Sequence, residues 1–285
     1  MSKGSLNWDE GKIERYYKQG RGQGEGKEYK PWLTVQDVPS TGRVTRIKGW
    51  KTERLHHLLS DLEKKFFYTL QWADNVVDIQ EQYPLNRDKT VAIAERKKIS
   101  HPEDRANKTP LVQTTDFFIK ITNQGKTEYL ARAVKPSTEL EKPRTLKKLE
   151  IERTYWQEQN IDWAIITELD INNVLASNVE WIHPAFWLDG VIELEADEEK
   201  RLLANLVQSI LRHNGTVQSL VGQLDQEYRM ESGTYLALFK HLLARKQIRT
   251  DFAEQKITPH LNIKEFSLSS SLSLASKKVK RHAVR

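Results

Sequence analysis

Residues 114–136 read TTDFFIKITNQGKTEYLARAVKP, and this stretch decides the fold. Two strand-like runs, 114–122 and 127–136, flank the polar turn Asn123-Gln124-Gly125-Lys126. Apolar and β-branched residues on either side of a short glycine-containing turn predict an antiparallel hairpin. The hairpin sets Asp116 and Lys135 side by side, one on each strand. A carboxylate in the run Asp116-Phe117-Phe118-Ile119 is costly to bury unless its charge is compensated. Two compensations stay open at this point: a divalent cation, or a salt bridge from Lys135 itself. A hard-cation ligand beside a lysine that positions or deprotonates a water is what a metal-dependent nuclease needs. Two residues before the lysine, where nucleases of this layout usually carry another acid, stands Ala133.

Working outward, Leu59, Leu62, Phe66 and Leu70 step at helical spacing through about Trp72. Residues 76–84 then read as a strand stopped by Pro84. Residues 86–110 are polar and charged and read as an insertion or loop. After the hairpin, Pro143 suits a first helical turn, and Leu146, Leu149, Arg153 and Trp156 carry a helix to about Gln159. Residues 162–167 have a buried-strand pattern. The order is helix, three strands, helix, strand. A crossover helix makes the last two strands parallel after an antiparallel meander. Residues 58–171 are therefore expected to form an α/β core of the restriction-endonuclease-like type.

The flanking regions read differently. Residues 1–57 are turn-rich and hold 12 Lys/Arg against 7 Asp/Glu, which predicts a basic N-terminal arm. Within it Gly20, Gly22, Gly24 and Gly26 alternate with polar residues, and a flexible loop is expected because no strand precedes them and no clear helix follows. Residues 172–266 carry 10 basic and 13 acidic residues. They show helix patterns at 197–213, 216–224 and 233–245, and then runs 248–251 and 257–266 that would pair as a short hairpin. Three helices and a two-stranded wing make a mostly α, winged-helix C-terminal domain. Residues 267–285 are serine-rich and then basic through Lys277, Lys278, Lys280, Arg281 and Arg285, and are expected to be a flexible basic tail.

Composition narrows the classes. A net charge of +6 and a pI near 9.2 favour an anionic partner such as nucleic acid. The absence of cysteine excludes disulfides and thiolate metal sites. No apolar run approaches the roughly 20 residues a membrane span needs. The expectation is a soluble cytoplasmic protein without membrane association. The eight histidines have no zinc spacing, and no phosphate-binding loop of the ATPase kind occurs.

Further candidates join Asp116 and Lys135. Glu63 lies on the first core helix, from which it can present an acid to a cation held by Asp116. The same residue closes Ser60-x-x-Glu63, a capping box, so a structural role competes with the metal role. Glu152 is a candidate supporting acid behind the site, with its neighbour Arg153 able to reach DNA.

These residues also carry a resemblance. Gly20-Arg21-Gly22-Gln23-Gly24 with Gly26-Lys27, residues 31–36 (PWLTVQ), Val38-Pro39-Ser40, Gly42-Arg43, residues 56–63 (HHLLSDLE), Thr115-Asp116-Phe117, Val134-Lys135-Pro136, Arg144-Thr145-Leu146, Lys148-Leu149-Glu150 and Tyr155-Trp156 resemble the TnsA endonucleases of Tn-seven-like transposons. The resemblance covers nearly all of residues 12–182 and is one of pattern beyond that. It implies a prokaryotic, DNA-associated endonuclease subunit that cleaves the 5′ ends of a transposon. It also implies partners: transposon-end DNA, a TnsB-type transposase and a TnsC-type AAA+ regulator. Glu63, Asp116 and Lys135 fall on the family's acid, acid and lysine positions, and the Val134 carbonyl on a metal-ligand position. The cofactor implied is magnesium, with manganese as substitute. Where the family has a glutamine, this chain has Ala133, so a catalytically silent DNA-bound adaptor is the alternative. Arg21, Lys27, Lys30, Arg43, Arg46 and His57 are the expected DNA contacts. Charge assigns the N-terminal arm to DNA and residues 172–266 mainly to the protein regulator.

Overall fold

A computed structural model of the chain describes residues 8–38 and 43–270. They divide after Asn172 into two compact units.

The first unit is built on a four-stranded sheet of order β3-β4-β5-β6, formed by Val76–Pro84, Thr114–Asn123, Lys126–Val134 and Asp162–Ile166. β3, β4 and β5 are an antiparallel meander, and β6 runs parallel to β5 with Ala133 opposite Ile165. The predicted hairpin is present with Phe117 opposite Arg132. Its two loop residues, Gln124 and Gly125, both have positive φ (49° and 79°), as the tight turn that matches strand twist requires. The crossover is α4, Pro143–Gln157, whose Ile151, Tyr155 and Trp156 bury against Leu85, Ala131 and partly buried Phe118. On the other side α2, Asp61–Trp72, packs Phe66 edge-on against Phe117.

Three stretches of this unit differ from the sequence reading. Residues 86–110 contain a helix, α3 (Arg87–Arg96), which Asn86 caps by accepting from the Lys89 N–H at 3.0 Å. Its buried stripe is short, Thr90, Ile93 and Ala94, so apolar periodicity understates it. The N-terminal region is likewise structured. Asp9 caps α1, Glu10–Lys18, and β1 (Thr45–Lys48) pairs antiparallel with β2 (Leu55–Leu58).

The glycine-rich run is a fixed wrap on the core, not a free loop. Gly22 N–H donates to the Lys30 carbonyl at 2.6 Å, Gly26 N–H to Asp78 Oδ2 at 3.0 Å and Trp32 N–H to the Gln82 carbonyl at 3.2 Å. Gly22 and Gly24 have φ of +77° and +91°. A Cβ on Gly22 would stand 2.1 Å from Pro84 Cγ, and one on Gly24 2.6 Å from the Glu28 carbonyl oxygen. The glycines serve close backbone approach rather than mobility.

The second unit contains α5 (Asn173–Ile182), α6 (Ala196–Ile210), α7 (Val217–Glu227) and α8 (Thr234–Ala244). The last three match the predicted helices. α5 was not anticipated. Leu202, Leu206, Leu220, Leu224, Leu238 and Leu242 are buried between them. Asp225 accepts from the Gly233 and Tyr235 N–H groups and so ties the start of α8 to α7. The predicted hairpin between 248–251 and 257–266 does not form. Instead β7, Ile248–Arg249, pairs antiparallel with β8, Ser267–Leu268. The intervening chain is taken by Asn178 of α5, whose amide donates to the Phe252 and Gln255 carbonyls and accepts from Ile257 N–H at 2.8 Å. Residues 267–270 therefore belong to the folded unit, and the basic positions 277–285 lie outside the described residues. Among the described residues no helix is long and apolar enough to cross a membrane.

Candidate active site

Asp116 lies at the start of β4 and Lys135 immediately after β5. Lys135 Nζ donates to Asp116 Oδ2 at 2.7 Å, and the Val134 N–H donates to the same oxygen at 2.7 Å. The salt bridge left open by the sequence is thus present. Burial alone would lower the Lys135 pKa, but the charge and hydrogen bond of Asp116 outweigh it and hold the ammonium above its ordinary value. Lys135 is protonated at neutral pH and acts as a donor.

Glu63 takes up the capping role that competes with its expected metal role. Ser60 Oγ accepts from the Glu63 N–H at 3.1 Å, and the carboxylate reaches back to Ser60 Oγ at 3.0 Å and the Leu59 N–H at 2.9 Å. This is a capping arrangement displaced by one residue, with Leu59 as the backbone donor. The same carboxylate is 6% exposed. Burial and then the nearby Asp116 charge push its pKa up to about 7.

Glu152, on the inward face of α4, stands behind Asp116. Thr115 Oγ1 donates to its Oε1 at 2.8 Å and Trp163 Nε1 at 3.1 Å, while Trp156 Nε1 donates to Thr115 Oγ1 at 2.6 Å. Burial, and then Asp116, push its pKa up to about 7 as well. Arg153 is engaged on the outer face of the helix with Glu150 at 2.8 Å.

Among the described residues no three His, Cys, Asp or Glu side chains gather as a metal cluster. The donor set is two buried carboxylates, Glu63 and Asp116, brought together from α2 and β4. That set fits magnesium, which keeps most of its waters and takes one or two carboxylates, and does not fit zinc. Val134 lies beside Asp116 through its N–H.

The expected DNA contacts separate into two groups. Lys27, Lys30, Arg43 and Arg46 are exposed. Arg21 points inward, donating to Asp37 at 2.6 Å and to the Trp32 carbonyl at 2.9 Å, with its guanidinium 3.7 Å from the Tyr16 ring centroid. His57 is half-buried, and its Nδ1 accepts from the Val35 N–H at 3.3 Å. These two hold the N-terminal wrap together.

Two further residues stand out: Lys148, which the sequence offered only within the family resemblance, and Gln82, which gave no sequence signal. Lys148, exposed on α4, has its pKa lowered by partial desolvation and then by the positive charges of Arg144 and Lys135. Gln82 of β3 is 3% exposed, has φ +50° and directs its amide at Glu63.

Comparison with known proteins gives matches to one family across both units. Residues 73–168 match the family described as TnsA-like endonuclease N terminal, and residues 170–252 the family described as TnsA endonuclease C terminal. The chain is 41% identical over 249 residues to transposon Tn7 transposition protein TnsA of Escherichia coli, covering 87% of this chain and 89% of that one.

Proposed function

The chain belongs to the TnsA endonuclease family, and from that premise we propose that it is a magnesium-dependent DNA endonuclease that cuts the 5′ ends of a transposon. The observation that carries the reading is the meeting of Glu63, Asp116 and Lys135 at one end of the sheet, where burial and then the Asp116 charge raise the proton affinity of Glu63. Glu63, Asp116 and the Val134 carbonyl would hold magnesium, or manganese in its place. When bound, the cation supplies Lewis acidity and an activated water.

The chain's own residues do the rest. Lys135, placed beside Asp116, would donate to a phosphate oxygen or to the attacking water and fix its line of approach. With Asp116 as its partner, Lys135 is held protonated, which suits it to donate. Water adds to phosphorus as the bond to O3′ breaks, and the proton released passes to the departing O3′. The products are a 5′-phosphate and a 3′-hydroxyl. Exposed Lys27, Lys30, Arg43 and Arg46 are suited to hold backbone phosphates, with affinity that falls steeply with salt.

The C-terminal unit, read as a winged helix, has 13 acids against 10 bases in residues 172–266 and is poorly suited to neutralising DNA. Its partner in this reading is a TnsC-type AAA+ regulator, while a TnsB-type transposase handles the 3′ ends. Ala133 favours one rival, a silent adaptor that binds the same DNA without cutting it. The deciding experiment is nicking of transposon-end DNA by the purified chain with its partner transposase, in magnesium and in chelator. Magnesium-dependent 5′-strand nicks support the nuclease. End binding without nicks in either magnesium or manganese supports the adaptor.

A further inference from the structure

Gln82 sits in the middle of a hydrogen-bonded strand with φ +50°. A non-glycine residue in the left-handed region is strained and persists only where surrounding structure fixes it. Here the fixing is visible. The Gln82 carbonyl accepts from Trp32, which is fully buried, and Glu81 and Tyr83 on either side keep their β-pairing to Phe117 and Thr115.

The unusual φ has a geometric result. Successive side chains of a regular strand point to opposite faces. Glu81 reaches Arg54 and His56, in the layer where His56 touches Phe67 of α2. Gln82, the next residue, reaches into the same layer, to Glu63 of α2, and Tyr83 turns to the other side to pack on Phe118 and Trp156. The left-handed residue is what lets two consecutive side chains serve one face.

The amide is held at both ends. Its oxygen accepts from Thr114 Oγ1 at 3.1 Å, and Nε2 lies 3.5 Å from Glu63 Oε2. In the ladder Gln82 falls between the pairs Glu81–Phe117 and Tyr83–Thr115, level with Asp116. On the other side of Asp116, one residue past the pair Phe117–Arg132, comes Ala133, which has no polar side-chain atom. Gln82 is therefore the neutral polar side chain that the sheet itself brings to the carboxylate pair.

We propose that Gln82 is a positioning residue of the active site, whose amide N–H sets the Glu63 carboxylate in the orientation that takes the cation with Asp116. The inference rests on the nuclease reading and adds to it a residue from the third strand. Leu59 N–H and Ser60 Oγ hold Glu63 from its own helix end, and Gln82 holds it from the sheet. Without the amide, Glu63 stays capped but is no longer fixed relative to Asp116.

The test uses the full chain with two substitutions, Gln82→Met, which keeps the length and removes the amide, and Gln82→Gly, which relieves the positive φ. Manganese binding is read by electron paramagnetic resonance without DNA, and nicking of transposon-end DNA is titrated with magnesium. Both variants should need about tenfold more metal for half-saturation, as loss of a group that orients a ligand does, while end-DNA affinity stays at the parent value. Gln82→Gly should unfold at no lower denaturant concentration than the parent, so its loss of metal affinity cannot come from a damaged fold. Parent-like manganese affinity in both variants, with a parent that binds manganese through Asp116, overturns the role of Gln82 alone. A parent that binds no manganese and does not nick overturns the nuclease reading and this inference together.

Discussion

The buried carboxylate of Glu81 on β3 and those of the group Glu63, Asp116 and Glu152, from α2, β4 and α4, are treated in opposite ways. Glu81 is fully buried and has a full set of partners: Arg54 donates to both of its oxygens at 2.8 and 2.6 Å, His56 Nδ1 lies at 2.7 Å, and the His57 N–H donates at 3.0 Å. Burial alone would raise its pKa, but His56 and Arg54 reverse this and hold it well below the usual carboxylate range. Glu63 and Glu152 are as deeply placed, yet share with Asp116 one ammonium, Lys135, and both are pushed up to about 7. The first group is balanced and holds the N-terminal wrap to the core. The second is short of positive charge where a cation and a phosphodiester would meet. Completeness of charge compensation separates structure from chemistry here better than burial does.

The strongest way to break this comparison is to unbalance the balanced group. Arg54→Ala leaves Glu81 buried without its main partner and should lower unfolding free energy by about 3–5 kcal/mol. Urea denaturation checks it, and a loss below 1 kcal/mol would mean that His56 alone suffices.

Next in size is the pH dependence. For Glu152 the folded pKa is about 7 against 4.5 for an ordinary glutamate. Between those values the folded chain keeps a proton that the unfolded chain has released, so its contribution to stability falls as pH rises from 4.5 to 7 and then levels off. Glu81 has the opposite sign: its contribution is present above pH 4.5 and is lost on acidification below it. Glu152→Gln should therefore remove a slope worth roughly 1–3 kcal/mol between pH 4.5 and 7. Unfolding curves across that range test this, and an unchanged slope would place the proton elsewhere.

The smallest expected effect sharpens the contrast from the other side. Ala133→Gln adds an amide beside the under-compensated pair and should lower the magnesium concentration needed for nicking, with little change in unfolding. A magnesium titration of both proteins decides it. An unaltered curve would mean that the coordination shell is complete without that side chain.

Most of the core was legible because local chemistry and topology agree. The Asn123–Lys126 turn, the proline ending the strand at Pro84 and the proline opening the crossover at Pro143 each force one local outcome. Asp116 and Lys135 were legible because an acid in an apolar strand has few ways to persist. What escaped depends on contacts distant in sequence or on a local pattern too short to read. The glycine run is ordered by Pro84 and Asp78, α3 by its cap and a three-residue stripe, and the 248–268 segment by Asn178. Gln82 escaped because nothing in Glu81-Gln82-Tyr83 announces a left-handed backbone.

The central claim, that the under-compensated group is where DNA is cut, is tested most directly by strand-specific nicking with Asp116→Ala beside the parent chain. Labelled transposon-end DNA, the partner transposase and magnesium are present in both reactions. The expected result is that the parent leaves 5′-phosphate nicks, and that the variant folds and binds ends normally but loses 5′-strand cleavage. Equal cleavage by the two proteins in magnesium or manganese would contradict it.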